Sequence, residues 1–419
     1  MIEREPCITY VETRSVGHYP VWVRAVAEAF VRMQPAGRMH VWLPDDFREK
    51  HGAWAEQYFV AKAEAGVRFD RYDLLGPAAA KTGDAGSIAS EMETILRCTE
   101  SDRGRVCYIG YLDGQLRNIA RGRFDAMRGR LVGVLDQPYL HYWRIGGCSG
   151  SVWRAGAMLL KGLAVNVAAV HRRVVGRVLM GDPLAPPFYR LVVCSGKFRF
   201  LPEPFSATCA SPFPRRRLKL PEDRLLLLFI GGTERRKGIC ELLCALESVL
   251  REHAELRARI AFVLAGRVIA ETRDAVYGTI SRMKCALPDV PISVHDGLLT
   301  DQEYVDYLAA ADLVCIPYIK MIGTSGVLAH AANAGHPVLS SNFGITGELV
   351  RRYRLGVTCT TNDARSLQNG LLEAIEMAQT REAAPNAQRE RFLSECAMPS
   401  DQLGETIVRH LLEVAGATR

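Results

Sequence analysis

The pattern of apolar and polar positions divides the chain into two runs of alternating strand and helix. Ile8 to Glu12 reads as a strand, Val21 to Met33 carries apolar residues at helical spacing, and Met39 to Leu43 reads as a strand again. Arg105 to Tyr111 and Leu131 to Leu135 add two apolar strand-like runs, with helix-compatible sequence between most of them. After Phe200 the periodicity stops. The stretch from Phe198 to Arg224 holds five prolines and no sustained period of either kind, so it reads as a joint. Leu225 to Ile230 is then a continuous aliphatic run, the pattern of a parallel strand buried on both faces. From there strands at Ala261 to Leu264, Ile292 to Val294, Leu313 to Ile316 and Pro337 to Ser340 alternate with helices at Lys237 to Arg251, Arg273 to Cys285, Asp301 to Ala310 and Gly326 to Ala334.

This order predicts an α/β protein of two doubly wound domains facing each other across a cleft, with ligands at the carboxyl ends of the strands. The expected boundaries are an N-terminal domain over 1–205, a linker over 206–224, a C-terminal domain over 225–395, and a terminal helix over 396–419 that packs back on the N-terminal domain.

Composition narrows the class. A chain of 419 residues is long enough for two cores, and 48% hydrophobic with 24% charged residues is ordinary for a soluble globular protein. The net charge of +7 is modest, but the arginines are bunched: Arg172 with Arg173, Arg215 to Arg217, Arg235 to Lys237, and Arg351 with Arg352. Such bunches attract phosphates; solvated helix faces are the plainer reading of most of them. Helix-turn-helix, ribonucleoprotein and zinc signatures are all missing, which argues against a nucleic-acid partner. Twelve cysteines form no CxxC pair and no zinc-ligand spacing, which fits a reducing cytoplasm and predicts no metal site. The start has no signal-peptide pattern, and the apolar stretch Ala155 to Val170, interrupted by Lys161 and Asn166, is shorter than the roughly twenty residues of a membrane span.

Two stretches carry chemistry. In Phe229-Ile-Gly-Gly-Thr-Glu-Arg-Arg-Lys-Gly238 a strand runs into Gly231 and Gly232, then into Arg236 and Lys237 at a helix start, which suits a diphosphate. It is not a P-loop, because a glycine follows Lys237. In the second stretch a buried strand ends at Pro317, and Gly323, Thr324, Ser325 and Gly326 cap the next helix with free amides and two hydroxyls. Taken singly, each stretch also reads as an ordinary turn.

Their order resembles the C-terminal domain of retaining GT-B glycosyltransferases, the large family 4 group, over about residues 225 to 375. The resemblance rests on Arg236-Lys237-Gly238, Leu264-Ala-Gly266, the run Ala310-Ala-Asp312-Leu-Val-Cys-Ile-Pro317-Tyr318, Gly335-His-Pro-Val338, and Ser341-Asn-Phe-Gly-Ile-Thr-Gly-Glu348. It implies two Rossmann-like domains and a donor site in which Lys237 contacts the diphosphate and the amides of Thr324 to Val327, with Gly266 nearby, bind its distal phosphate. The family's usual arginine after the strand-end glycine aligns with Gly232, which leaves Arg235 or Arg236 for that contact. Its two glutamates align with Ile322 and His330, so His330 becomes the candidate for a ribose hydroxyl. By the same resemblance Gly17 and His18, after the first strand, border the donor phosphate. Asp113, Asp136 and His141 follow later strands as acceptor-side candidates.

The implied activity is metal-independent, retaining hexosyl transfer from a nucleotide diphosphate-sugar to a carbohydrate or lipid-linked hydroxyl acceptor, with Lys237, Arg236 and His18 as catalytic candidates, no cofactor, and a role in polysaccharide assembly. Lys161, Arg172, Arg173 and the linker arginines are candidates for peripheral contact at the inner membrane face. The missing glutamates keep a second reading open, a nonenzymatic binder of sugar nucleotides or glycans.

Overall fold

The computed structural model describes residues 7–14, 19–34, 37–44, 46–47, 67–72, 85–101, 106–127, 130–142, 152–380 and 386–416. The chain divides into two compact units, the first comprising 1–141, 149–202 and 400–419, the second 142–148 and 203–399.

In the first unit, strands β1 (Cys7–Val11), β2 (Arg38–Pro44), β3 (Val67–Tyr72), β4 (Val106–Ile109), β5 (Arg130–Val134), β6 (Val175–Met180) and β7 (Phe198–Phe200) form one parallel sheet in the order β3-β2-β1-β4-β5-β6-β7. The apolar residues that betray these strands are their buried faces: Ile109, Leu131, Val178 and Phe198 pack with Phe124 and Tyr189. The last helix, Ser400–Ala415, belongs to this unit; it buries Leu403, Ile407, Val408 and Leu411 at helical spacing and lies so close to the helix Tyr19–Met33 that a Cβ on Gly404 would sit 1.9 Å from the Ala25 carbonyl. Only glycine allows that approach.

In the second unit, β9 (Leu225–Ile230), β10 (Ile260–Ala265), β11 (Ile292–His295), β12 (Leu313–Ile316), β13 (Val338–Ser341) and β14 (Gly356–Cys359), preceded by β8 (Glu203–Phe205), are strands of the same kind. The six from β9 to β14 form a parallel sheet in the order β11-β10-β9-β12-β13-β14, and β8 pairs separately with β15 (Ala397–Pro399). Leu227, Phe229, Phe262 and Leu264 anchor its core. In each large sheet the strand order reverses beside the first strand, between β1 and β4 and between β9 and β12, and such a switch point opens a crevice at the carboxyl ends.

The strands that the apolar pattern does not reveal include β3, β7 and β14, all sheet edges, and β6. Edge strands bury less surface, so β3, with the sequence VRFDRY, is half polar. The proline-rich stretch 206–224 is fastened to the second unit rather than spanning freely. Ser211 donates through its amide and hydroxyl to Asp306 at 2.7 and 2.8 Å, and Arg215 pairs with Asp312 at 2.5 Å. Prolines remove the helical period there, while these bonds keep the chain in place.

Candidate functional site

At the switch point of the second sheet, β9 ends at Ile230 and delivers Gly231, Gly232 and the short 3-10 turn Arg235–Lys237. Gly231 adopts φ +112° and Gly266, at the end of β10, φ +136°; a Cβ on Gly266 would lie 2.3 Å from the Gly231 carbonyl, so the two glycines let the strand ends close on each other. Gly238, with φ +72°, has the Pro317 carbonyl 1.9 Å from where a Cβ would stand, which locks the end of β12 against the start of the next helix.

This closeness joins the two stretches singled out in the sequence. Lys237 places Nζ 4.6 Å over the Tyr318 ring and 3.4 Å from its hydroxyl, and that hydroxyl shares a 3.1 Å hydrogen bond with Ser325. Arg236 reaches Met321 at 3.3 Å, and its carbonyl accepts from Ile319 at 2.7 Å. Ser325 is the N-cap of the helix Gly326–Ala334 and accepts from the Leu328 amide. Among the described residues no acceptor meets the amides of Thr324, Ser325, Gly326 and Val327. Four free amides at a helix start form a cradle for an anion.

Charge pairing separates whole bunches from this one, since in each of the others at least one arginine has a carboxylate partner. Arg172 pairs with Asp125, Arg215 with Asp312, Arg216 with Glu222, Arg217 with Asp306 and Arg351 with Glu348. Among the described residues Arg235, Arg236 and Lys237 have no carboxylate partner.

Residues not foreseen complete the cradle. Tyr142, 3% exposed, follows β5 in sequence yet belongs to the second unit: its hydroxyl accepts from the Gly323 amide at 2.6 Å and donates to the Gly323 carbonyl at 3.4 Å, with its ring 6.2 Å from Phe343. Glu203 accepts from the Thr324 hydroxyl at 2.5 Å and lies beside Gly326, and Glu234 lies against Gly232. Pairs as distant as Tyr142 and Gly323 leave no periodic signal in the sequence.

His330 differs from the expectation. Its Nδ1 donates to the Gly326 carbonyl at 2.7 Å and its Nε2 accepts from the Ser206 amide at 2.9 Å, so neither ring nitrogen is left for a ribose hydroxyl, and burial pushes its pKa down. Val327 is buried, 8% exposed, and contributes its amide alone.

The first unit's switch point has the opposite character. Glu12, fully buried after β1, accepts from the Tyr10 hydroxyl at 3.1 Å and the Arg14 amide at 3.0 Å, and burial raises its pKa to about 7. Asp113, after β4, accepts from the amides of Asp136 and Gln137 at 2.9 and 2.7 Å; burial, with Asp136 beside it, lifts its pKa to about 7. The Arg14 guanidinium lies over the Tyr111 ring, 3.5 Å from its centre. Asp113 and Asp136 are therefore together at the strand edge. His141 is instead tied to Asp182 at 3.1 Å and 2% exposed, a buried pair that holds the chain after β5. Gly17 and His18 lie outside the described residues.

Comparison with known proteins accords with this geometry. Residues 224–377 match the family described as Glycosyl transferases group 1. A D-inositol 3-phosphate glycosyltransferase of Nocardioides sp. (strain ATCC BAA-499 / JS614) is 30% identical over 168 residues, 39% of this chain and 36% of that protein, so the chain matches little more than a third of its relative's length. Sucrose-phosphate synthase from Thermosynechococcus elongatus superposes with a TM-score of 0.70 at 15% identity, over 99% of this chain and 100% of that one. Anabaena HepE, solved in complex with UDP, gives 0.63 at 15% identity, over 97% and 99%. The fold is that of the GT-B glycosyltransferases, two parallel-sheet α/β domains.

Proposed function

We propose that this chain, whose residues 224–377 form a domain of the group 1 glycosyl transferases, moves a hexosyl group from a nucleotide diphosphate-sugar to a hydroxyl acceptor with retention of configuration. One observation carries the reading: an unpaired cationic turn, Arg235–Lys237, is joined through Tyr318 to four free amides at a helix start. Full charges and oriented dipoles brought close to each other suit a diphosphate.

In this reading the bond between the anomeric carbon and the diphosphate oxygen breaks while the acceptor hydroxyl bonds to the same face of the sugar, and a diphosphate oxygen takes the acceptor's proton. Lys237 and the amides of Thr324 to Val327 stabilise the charge that grows on the leaving diphosphate. They do so without a divalent cation. Arg236, exposed on the same turn, adds long-range attraction for the anion. Asp113 and Asp136 mark the acceptor side, where carboxylates suit hydroxyl groups rather than phosphates.

Membrane contact belongs to the reading in a narrowed form. Arg172 and the linker residues Arg215, Arg216 and Arg217 are paired with carboxylates, whereas Lys161 and Arg173 are exposed, and Leu160, next to Lys161 on the helix Val152–Val170, is 70% exposed. Among the described residues no helix is long and apolar enough to cross a membrane.

The test is turnover of UDP-glucose, GDP-mannose and ADP-glucose in the presence of a chelator. Release of nucleoside diphosphate, with product anomeric signals of the donor's configuration by NMR, supports the proposal. Binding without any donor cleavage would favour a nonenzymatic sugar-nucleotide binder, and inverted product would refute retention.

A further inference from the structure

We propose that Glu234 is a specificity-determining residue of the second unit's cradle, whose carboxylate accepts a hydrogen bond from a hydroxyl of the bound nucleotide sugar. This rests on the donor-site reading above. Glu234 precedes the turn Arg235–Lys237 with φ −53° and ψ 141°, and its side chain folds back over Gly232. A Cβ at position 232 would meet Oε1 at 3.0 Å and Oε2 at 3.2 Å, so the carboxylate occupies room that any larger residue would contest. The glycine is thus part of how the carboxylate is placed.

Its Oε2 is buried and, among the described residues, has no hydrogen-bond partner. Two of the three cations that follow it in sequence are turned elsewhere, Lys237 towards Tyr318 and Arg236 towards Met321, and among the described residues Arg235 forms no ion pair with it. Buried carboxylate oxygens are costly to leave unpaired, and an ionised carboxylate accepts hydrogen bonds but donates none. The missing donor is therefore expected from the ligand. A diphosphate at this pH has no donor to offer, but hydroxyl-bearing rings flank it on both sides, the ribose on one and the transferred sugar on the other. Either ring supplies the same chemistry, and the distinction is experimental.

The experiment is calorimetric titration of the full chain with UDP, 2′-deoxy-UDP, 3′-deoxy-UDP and UDP-glucose, or the guanosine or adenosine counterparts if those bind more tightly. The proteins are wild type, Glu234→Ala and the near-isosteric Glu234→Gln, the latter keeping the test informative if the alanine variant folds poorly. If the ribose is the source, wild type loses about tenfold in affinity for one deoxy analogue, in keeping with one charge-assisted hydrogen bond, and Glu234→Ala loses less than about twofold. If the sugar is the source, both deoxy analogues bind like UDP, while Glu234→Ala loses about tenfold for UDP-glucose relative to UDP. In either case Glu234→Gln falls between. Unchanged ratios across all ligands in both variants overturn the proposal. Failure of wild type to bind any nucleotide is a different result, and it defeats the donor-site reading itself.

Discussion

The two sheets reverse their strand order at the same position, yet the groups that dominate the two reversals differ in character. In the second unit β9 and β12 present Lys237, Arg235 and Arg236 with the free amides of Thr324 to Val327. In the first, β1, β4 and β5 present Glu12, Asp113 and Asp136, the first two with pKa values raised to about 7. One topology therefore supplies a crevice twice, and the groups after each strand differ: cations with free amides at one, buried carboxyl groups at the other. A lesson follows about glycine as well. Gly232 and Gly326 in the second unit and Gly110 in the first each have a carboxylate laid against the missing side chain, from Glu234, Glu203 and Glu12 respectively. At these three positions glycine makes room for an acid.

The sharpest way to break the contrast is to remove the central cation. Lys237→Ala is expected to lower kcat/KM at least tenfold, and by up to about a hundredfold if its charge acts mainly on the leaving diphosphate. Steady-state kinetics with excess acceptor checks this, and unchanged turnover would remove the diphosphate assignment.

On the acidic side the prediction concerns pH. Glu12 has a folded pKa of about 7 against an ordinary 4.5, so its contribution to stability is fully present below pH 4.5 and is lost as pH rises through 7. Glu12→Gln does not titrate. Its stability relative to wild type should therefore climb across that window, by about 3 kcal/mol at pH 8 compared with pH 4.5. Chemical denaturation at both pH values measures it, and parallel curves would show that Glu12 is not held protonated.

A smaller effect is expected where the cradle is only positioned. Tyr142→Phe removes the hydroxyl that holds Gly323, at a cost of about 1 kcal/mol, or about fivefold in the KM for donor, with kcat little changed. A matching fall in kcat would instead give the tyrosine a part in the chemistry. Smallest of all is Arg216→Ala. That arginine is exposed and already paired with Glu222, so donor affinity should move less than about twofold; a larger loss would contradict the distinction between paired and unpaired clusters.

Much of this was legible in the sequence where local pattern and function coincide. Leu225–Ile230, Asp301–Ala310, Leu313–Ile316 and Gly326–Ala334 are found over the residues that their apolar pattern indicates, because buried parallel strands and capped helices leave strong local signals. The cradle was legible for the same reason, since glycines, cations and a cap lie close in sequence. What stayed hidden depends on residues far apart. Nothing near Tyr142 announces its bond to Gly323, and nothing near His330 shows that the Ser206 amide occupies its Nε2. The place of His141 after a strand suggests an acceptor-side group, but the buried Asp182 that holds it lies beyond β6. The edge strands β7 and β14 were hidden for a different reason, because partial burial dilutes the apolar pattern, whereas the edge strand β11 kept enough of it to be found.

The central claim is that the cationic turn and the amide cap of the second unit together bind a nucleoside diphosphate. Its most direct test is calorimetric titration of UDP, GDP and ADP, with no divalent cation present, into wild type and Lys237→Ala. The account predicts that wild type binds at least one of them and that the variant binds it at least tenfold more weakly. Equal affinity in the two proteins, or no binding to wild type, would contradict it.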